Sequence, residues 1–327
     1  MTVTAGSSNF NDNLNNNLST NTCHSIRTDF SGIWVAIVTP FTHEMHDIHG
    51  TPGDAALDLP ALKSLASQLI ATGVAGLVVC GSTGEAASLS HEEQMQVLDA
   101  VLEVVPASQV IMGLCSNNMQ NVMHRLHVIA ERKIAAVLVT APYYIRPSQA
   151  GVIDYFHTIA NASAVPIVLY NIPYRTGVNM ELPSLQQLAR HPNIVAIKDC
   201  GGDQQATMQL IIDADIQVLA GEDQQVFNTL CLGGAGAIIA SAHIRPDLFL
   251  RMHEQIRAGQ LGEARTIFYH LLPVMQALFE EPNPAPLKAV LASTHAMHNV
   301  LRPPMQLATA AMQDKMQGVL ERLQSLP

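Results

Sequence analysis

The five cysteines, Cys23, Cys80, Cys115, Cys200 and Cys231, are odd in number, widely spaced and without a CxxC pair. That leaves no disulfide framework or zinc knuckle to be read and fits a reducing cytoplasm. Positive charge is also scarce: 17 Lys and Arg stand against 27 Asp and Glu, a formal net charge of -10. Nucleic acid and anionic membranes need a basic face, so neither is an expected partner, while local capture of a small anion stays open. No apolar run approaches the roughly 18 residues of a membrane span. The first thirty residues lack the charged and apolar blocks of a signal peptide. Aromatic residues make up only 5% of the chain and charged ones 13%, so Val, Ile, Leu, Ala and Met must build the core from the 48% that is hydrophobic.

What is present has a regular beat. Residues 1 to 31 include NFNDNLNNNLSTNT, an Asn-rich leader with almost nothing to bury, expected to be disordered and to carry no chemistry. Strand patterns then recur at Ile33 to Val38, Gly76 to Cys80, Val110 to Gly113, Ala135 to Thr140, Pro166 to Asn171, Ile194 to Lys198, Ile216 to Ala220 and Ala235 to Ala240. Helical patterns alternate with them at Leu59 to Ala71, Ser90 to Val105, Gln120 to Arg132, Gln149 to Ala162, Leu182 to Arg190, Gln204 to Asp213, Asp223 to Cys231 and Arg245 to Ala258. Ser90 with Glu93 three positions on predicts a capping box for the second helix. Eight such pairs over about 230 residues predict an α/β fold, a closed (β/α)8 TIM barrel, over 32–260. Residues 261–327 hold three amphipathic stretches and no strand signal, so a C-terminal helical appendix is expected there.

Catalytic side chains of such barrels gather where the strands run out at their C-terminal ends. The most informative of these ends is NIVAIKDCGG, Asn193 to Gly202, where a continuous apolar run delivers Lys198 to a glycine loop. A lysine at the mouth of an apolar core is partly stripped of water, which disfavours the ammonium and leaves free amine to attack a carbonyl. The competing reading, a lysine that snorkels to solvent, holds for most lysines and is set aside only by the neighbouring ends. GSTGE, Gly81 to Glu85, offers the hydroxyls of Ser82 and Thr83 and a run of backbone amides suited to a carboxylate, although a plain strand-to-helix turn has the same pattern. Tyr170 ends another apolar strand, with a phenol placed to exchange protons, unless it is simply core. Arg175 follows in a proline and glycine loop, a fork for a second carboxylate or a surface charge.

Four features are read as bystanders. His43, His46 and His49, with Glu44 and Asp47, lie in a Gly/Pro-marked loop with no element to hold them on one face, so a polar loop is expected rather than a metal site. GGAGAIIA, Gly233 to Ala240, lacks the third small residue and the placement of a dinucleotide fingerprint. His124 and His127 are three apart, but Arg125 between them and the lack of a nearby carboxylate speak against a metal. Cys200 reads as a loop residue.

The ordered set GSTGE, APYYIRP, YNIPYRTG, IVAIKDCGG, LAGED, GGAGAIIAS and EEPNPAPLK resembles the pyruvate-dependent class I aldolase superfamily and, within it, the dihydrodipicolinate synthase family, over about residues 32 to 310. The resemblance implies that Lys198 forms an imine with pyruvate and that Tyr170 donates and accepts the protons. Ser82 would complete the relay, together with Tyr144 supplied across a dimer interface. It further implies that Thr83 and the main chain at Ile238 hold the pyruvate carboxylate, that Arg175 holds the carboxylate of aspartate 4-semialdehyde, and that no metal or cofactor is needed. A homodimer or homotetramer in lysine and diaminopimelate biosynthesis is the corresponding expectation. Another aldolase of the superfamily acting on a sugar acid, or a catalytically silent regulatory paralogue, is the alternative. Ser82 stands where the family usually has threonine, and Ile145 where asparagine is common. Lysine-inhibited members use a second histidine and a glutamate where this chain has Gln94 and Asn121, keeping only His91, Asn117 and Tyr143, so weak lysine inhibition is expected.

Overall fold

The computed structural model describes residues 29–45, 55–213 and 215–324, with backbone only at 43–45 and at 324. Residues 1–28 of the leader, together with His46, Asp47 and His49, lie outside the described residues, as do the side chains of His43 and Glu44.

Eight parallel strands close into a barrel: β1 (Gly32–Ala36), β2 (Gly76–Val79), β3 (Val110–Leu114), β4 (Ala136–Thr140), β5 (Ile167–Asn171), β6 (Ile194–Asp199), β7 (Gln217–Ala220) and β8 (Gly236–Ile239), with β1 pairing β8 to complete the ring. The apolar runs are continuous because a barrel strand is buried on both faces, by the lumen inside and by helices outside. Alternation sorts them. Trp34, Ala36, Val78, Leu138, Val168, Ala196, Leu219 and Ile238 belong to the inner cluster, while Ile33, Val35, Leu77, Val79, Val137, Val139, Leu169 and Ile197 pack outward.

Helices follow the predicted beat, several of them at the predicted residues: Leu59–Ala71, Gln149–Ala162 and Gln204–Asp213. Helix His91–Leu102 opens with the predicted capping box, Ser90 and Glu93 each satisfying the other's backbone N–H. One element was not foreseen. Phe41–Met45 pairs antiparallel with Ala55–Leu57 as a two-stranded sheet, where the polar His-rich sequence predicts only a loop. Phe41 explains it: the ring is fully buried and lies under two cations, Lys288 Nζ 4.1 Å and the Arg302 guanidinium carbon 4.7 Å from its centroid.

At the foot of the barrel, packing begins before β1. Phe30 is fully buried, its N–H donates to Gln217 Oε1 (2.8 Å), and its carbonyl accepts from Trp34 Nε1 (2.9 Å). The Trp34 ring fills the space where any Cβ on Gly76 would stand 2.3 Å away, so only glycine fits there. Helices Leu261–Leu278, Ala285–Ser293 and Ala310–Gln324 form the C-terminal region, the first packing on helix Pro246–Arg257 and on the last.

Candidate active site

Lys198 shares the parity of Ala196 on β6, so period-two alternation turns it into the barrel. It is 7% exposed, despite being a lysine. Tyr170 shares the parity of Val168 on β5, and the parallel register sets Tyr170 beside Lys198. The Lys198 Nζ stands 4.5 Å from the centre of the phenol ring. Burial pushes the Tyr170 phenol well above its ordinary range, with nearby Cys200 and Tyr174 adding to the rise, and Arg175 and a hydrogen bond from Ser82 opposing it. The phenol therefore stays protonated at neutral pH, beside the exposed Ser82.

Thr83, next to Ser82, is buried, and its Oγ1 accepts from Asn283 Nδ2 at 3.0 Å. Since that lone pair is taken, the threonine's own proton is free to donate elsewhere. Glu85 ends the loop in the left-handed region at φ 51° and is anchored by Lys288. Ile238 is fully buried on β8, and the backbone just beyond it is fixed by Asp223, whose Oδ2 accepts from Ser241 N at 2.7 Å and Ala240 N at 3.1 Å. Burial raises the Asp223 carboxyl, although Ser241 and Lys198 counter it. Across β1, His243 is neutral and oriented: Nδ1 donates to Ala240 O (2.7 Å), Nε2 accepts from Val38 N (3.3 Å), and burial lowers its pKa to about 4.

Arg175 is exposed at the rim, on the short turn Pro173–Thr176, with its guanidinium 5.8 Å from the Tyr174 ring centre. It lines two cavities, one of about 250 Å³ toward Ser82 and one of about 430 Å³ toward Asn283. Tyr174 donates to Glu222 Oε1 at 2.9 Å. Cys200, read as a loop residue, does follow β6 but is buried beside Lys198, and burial holds its thiol well above the usual range. Gly221 makes room for both: a Cβ there would meet Cys200 Sγ at 2.3 Å and Lys198 Cγ at 2.9 Å.

Tyr144 is the one candidate that a single chain does not gather in. It is 89% exposed and held at φ 70°, its N–H bonded to Thr176 O at 3.0 Å. Sequence reasoning also passed over Asn283, Lys288 and Asp223 as working parts of the site. EEPNPAPLK and LAGED contain all three, but their contacts span 200 residues or so in the case of Asn283 and Thr83, and no local spacing announces that. Among the described residues, no group of three or more His, Cys, Asp or Glu is placed to hold a metal ion, and no helix is long and apolar enough to cross a membrane.

The profile described as the Dihydrodipicolinate synthetase family matches residues 29–323. The chain is 36% identical over 295 residues to a 4-hydroxy-tetrahydrodipicolinate synthase of Methanoculleus marisnigri, covering 89% of this chain and 98% of that protein. To the protein of the same name from Haloarcula marismortui it is 36% identical over 300 residues, 91% of this chain and 95% of the other. The crystal structure of dihydrodipicolinate synthase from Thermotoga maritima superposes with a TM-score of 0.84 at 30% identity, covering 91% of this chain and 99% of that one.

Proposed function

Because the chain belongs to the dihydrodipicolinate synthetase family, we propose that it condenses pyruvate with L-aspartate 4-semialdehyde to 4-hydroxy-tetrahydrodipicolinate through an imine on Lys198. It is an enzyme, a lyase of the class I aldolase type. The observation that carries the reading is the buried Lys198 Nζ set over the Tyr170 ring, with Ser82 beside the phenol.

The chemistry follows from these groups. Lys198 Nζ adds to the keto carbon of pyruvate, water leaves, and the resulting imine draws electrons from the methyl carbon, which gives up a proton to become an enamine. The enamine carbon bonds to the aldehyde carbon of the second substrate. That substrate's amine then adds to the imine carbon and expels the lysine nitrogen as the ring closes. Tyr170 moves the protons, and because burial keeps its phenol protonated it works by passing each one along Ser82. Thr83, its proton freed by Asn283, and the main chain at Ile238 hold the pyruvate carboxylate, and Arg175 holds that of the semialdehyde. Tyr144 completes the relay from a second copy, which its exposure and strained backbone support, so a homodimer or homotetramer is the working unit. The reaction so written calls for no metal or cofactor, and the cytoplasm, where both substrates would be met, is its compartment.

Sodium borohydride in the presence of pyruvate tests the imine: irreversible mass addition at Lys198, absent in Lys198→Ala, is expected, and a silent subunit gives none. Turnover of aspartate 4-semialdehyde against sugar acids, repeated with Arg175→Ala, tests the second substrate. A semialdehyde rate untouched by loss of Arg175 overturns that assignment.

A further inference from the structure

The turn Gly81–Glu85 is held more firmly than a passage from strand to helix requires. Two bonds close it internally, Gly84 N to Gly81 O at 3.1 Å and Glu85 N to Ser82 O at 3.2 Å. Three consecutive residues are then tied to distant parts of the chain. Thr83 Oγ1 accepts from Asn283, the Gly84 carbonyl accepts from Thr39 Oγ1 at 2.7 Å, and the Glu85 carboxylate meets Lys288 and the Arg302 N–H. Asn283, Lys288 and Arg302 belong to the C-terminal region. Thr39 comes from the barrel itself, just past β1, 1% exposed and 45 residues from the carbonyl it holds. The backbone leading to it is fixed on two sides, since Ile37 N donates to Val78 O at 3.1 Å and Val38 N to His243 Nε2 at 3.3 Å. Gly84 is buried close against this stretch: a Cβ there would stand 3.2 Å from Ile37 O and 3.4 Å from Thr39 Oγ1. A buried hydroxyl and a buried carbonyl thus satisfy each other. The proposed reaction makes no use of Thr39.

We propose that Thr39 is a positioning residue for the keto acid: by fixing the Gly84 carbonyl it sets the orientation of Thr83, the residue before it, toward the pyruvate carboxylate. The inference rests on the reading that Lys198 forms an imine with pyruvate and that Thr83 holds the carboxylate. A rotation of the Gly84 peptide carries Thr83 with it, and misplacement of a binding group by about 1 Å is costly. The semialdehyde is held from a different turn, Pro173–Thr176, so its binding is spared.

Borohydride trapping at Lys198 as a function of pyruvate concentration, read by mass spectrometry on the full-length protein, tests this. In Thr39→Val, which keeps the shape and removes the hydroxyl, the pyruvate concentration for half-maximal labelling is expected to rise about tenfold, with maximal labelling retained. Thr39→Ala gives the same shift, and Thr39→Ser, which keeps the donor, restores the wild-type value. The KM for the semialdehyde is unchanged in all three. A purely structural role would lower the amount of active protein and leave the pyruvate dependence as it was. Labelling of the wild type with an unshifted pyruvate dependence in Thr39→Val and Thr39→Ala, or no recovery in Thr39→Ser, overturns this inference alone. No labelling of the wild type at any pyruvate concentration overturns the imine reading, and this inference with it.

Discussion

Lys288 and Glu85 form an ion pair shut away from solvent, the lysine side chain fully buried and the glutamate's 2% exposed. It ties helix Ala285–Ser293 to the loop that carries Ser82 and Thr83. Arg302 adds a backbone N–H to Glu85 Oε2 at 3.2 Å and a double hydrogen bond to Glu93, while Lys288 Nζ also donates to Val300 O at 3.0 Å. Burial lowers the Lys288 pKa to about 8 even against the pull of Glu85.

Removing one partner strands the other. Lys288→Met is expected to cost about 3–5 kcal/mol in urea unfolding. The double variant Glu85→Gln with Lys288→Met loses less than the single one, because no buried carboxylate is left without its lysine. Equal losses in both would mean that the pair is not coupled.

His243 sets an acid limb. Its pKa falls from 6.5 in the unfolded chain to about 4 in the folded one, so below 6.5 the unfolded state binds the extra proton. Its contribution is present in full above about pH 6.5 and is lost as pH falls toward 4, amounting to about 3 kcal/mol. Urea midpoints followed over that window should decline less in His243→Gln than in the wild type.

At Gly221 a single methyl group is predicted to reach the chemistry. Gly221→Ala puts a carbon on Lys198 Cγ and Cys200 Sγ, and displacing a nucleophile by about 1 Å can cost on the order of 100-fold in rate. Borohydride trapping of pyruvate at Lys198 should slow accordingly. Adding Cys200→Ala relieves only the sulfur clash, so the slow trapping should persist.

The proposed relay is tested most directly at Ser82. Ser82→Ala removes the hydroxyl that bonds the Tyr170 phenol and should lower kcat by about 100-fold or more, with KM for pyruvate little changed. Ser82→Thr restores the hydroxyl and should recover most of the rate.

Lysine should inhibit weakly or not at all. Gln94 and Asn121 replace the ionisable partners of lysine-inhibited relatives, and Gln94 is engaged by Arg125, a cation that repels another. Sub-millimolar inhibition in a steady-state assay contradicts this.

Much of the scaffold was legible because barrel strands buried on both faces are uninterrupted apolar runs. Lys198 and Tyr170 stood out as polar side chains closing such runs, and the inward parity of each follows from counting back two residues. The hairpin at Phe41 was not legible, because its support comes from Lys288 and Arg302, more than 240 residues away. Asn283 and Lys288 were hidden for the same reason. Arg125 was visible only as an interruption between two histidines, since helical spacing gives the face a side chain occupies and not the Gln94 oxygen it meets.

Trp34 and Phe30 stopper the foot of the barrel, and Gly76 lets the indole sit flush. Above that plug the lumen opens at the C-terminal ends of the strands, so a molecule that approaches Lys198 from there meets the rim where Arg175 stands.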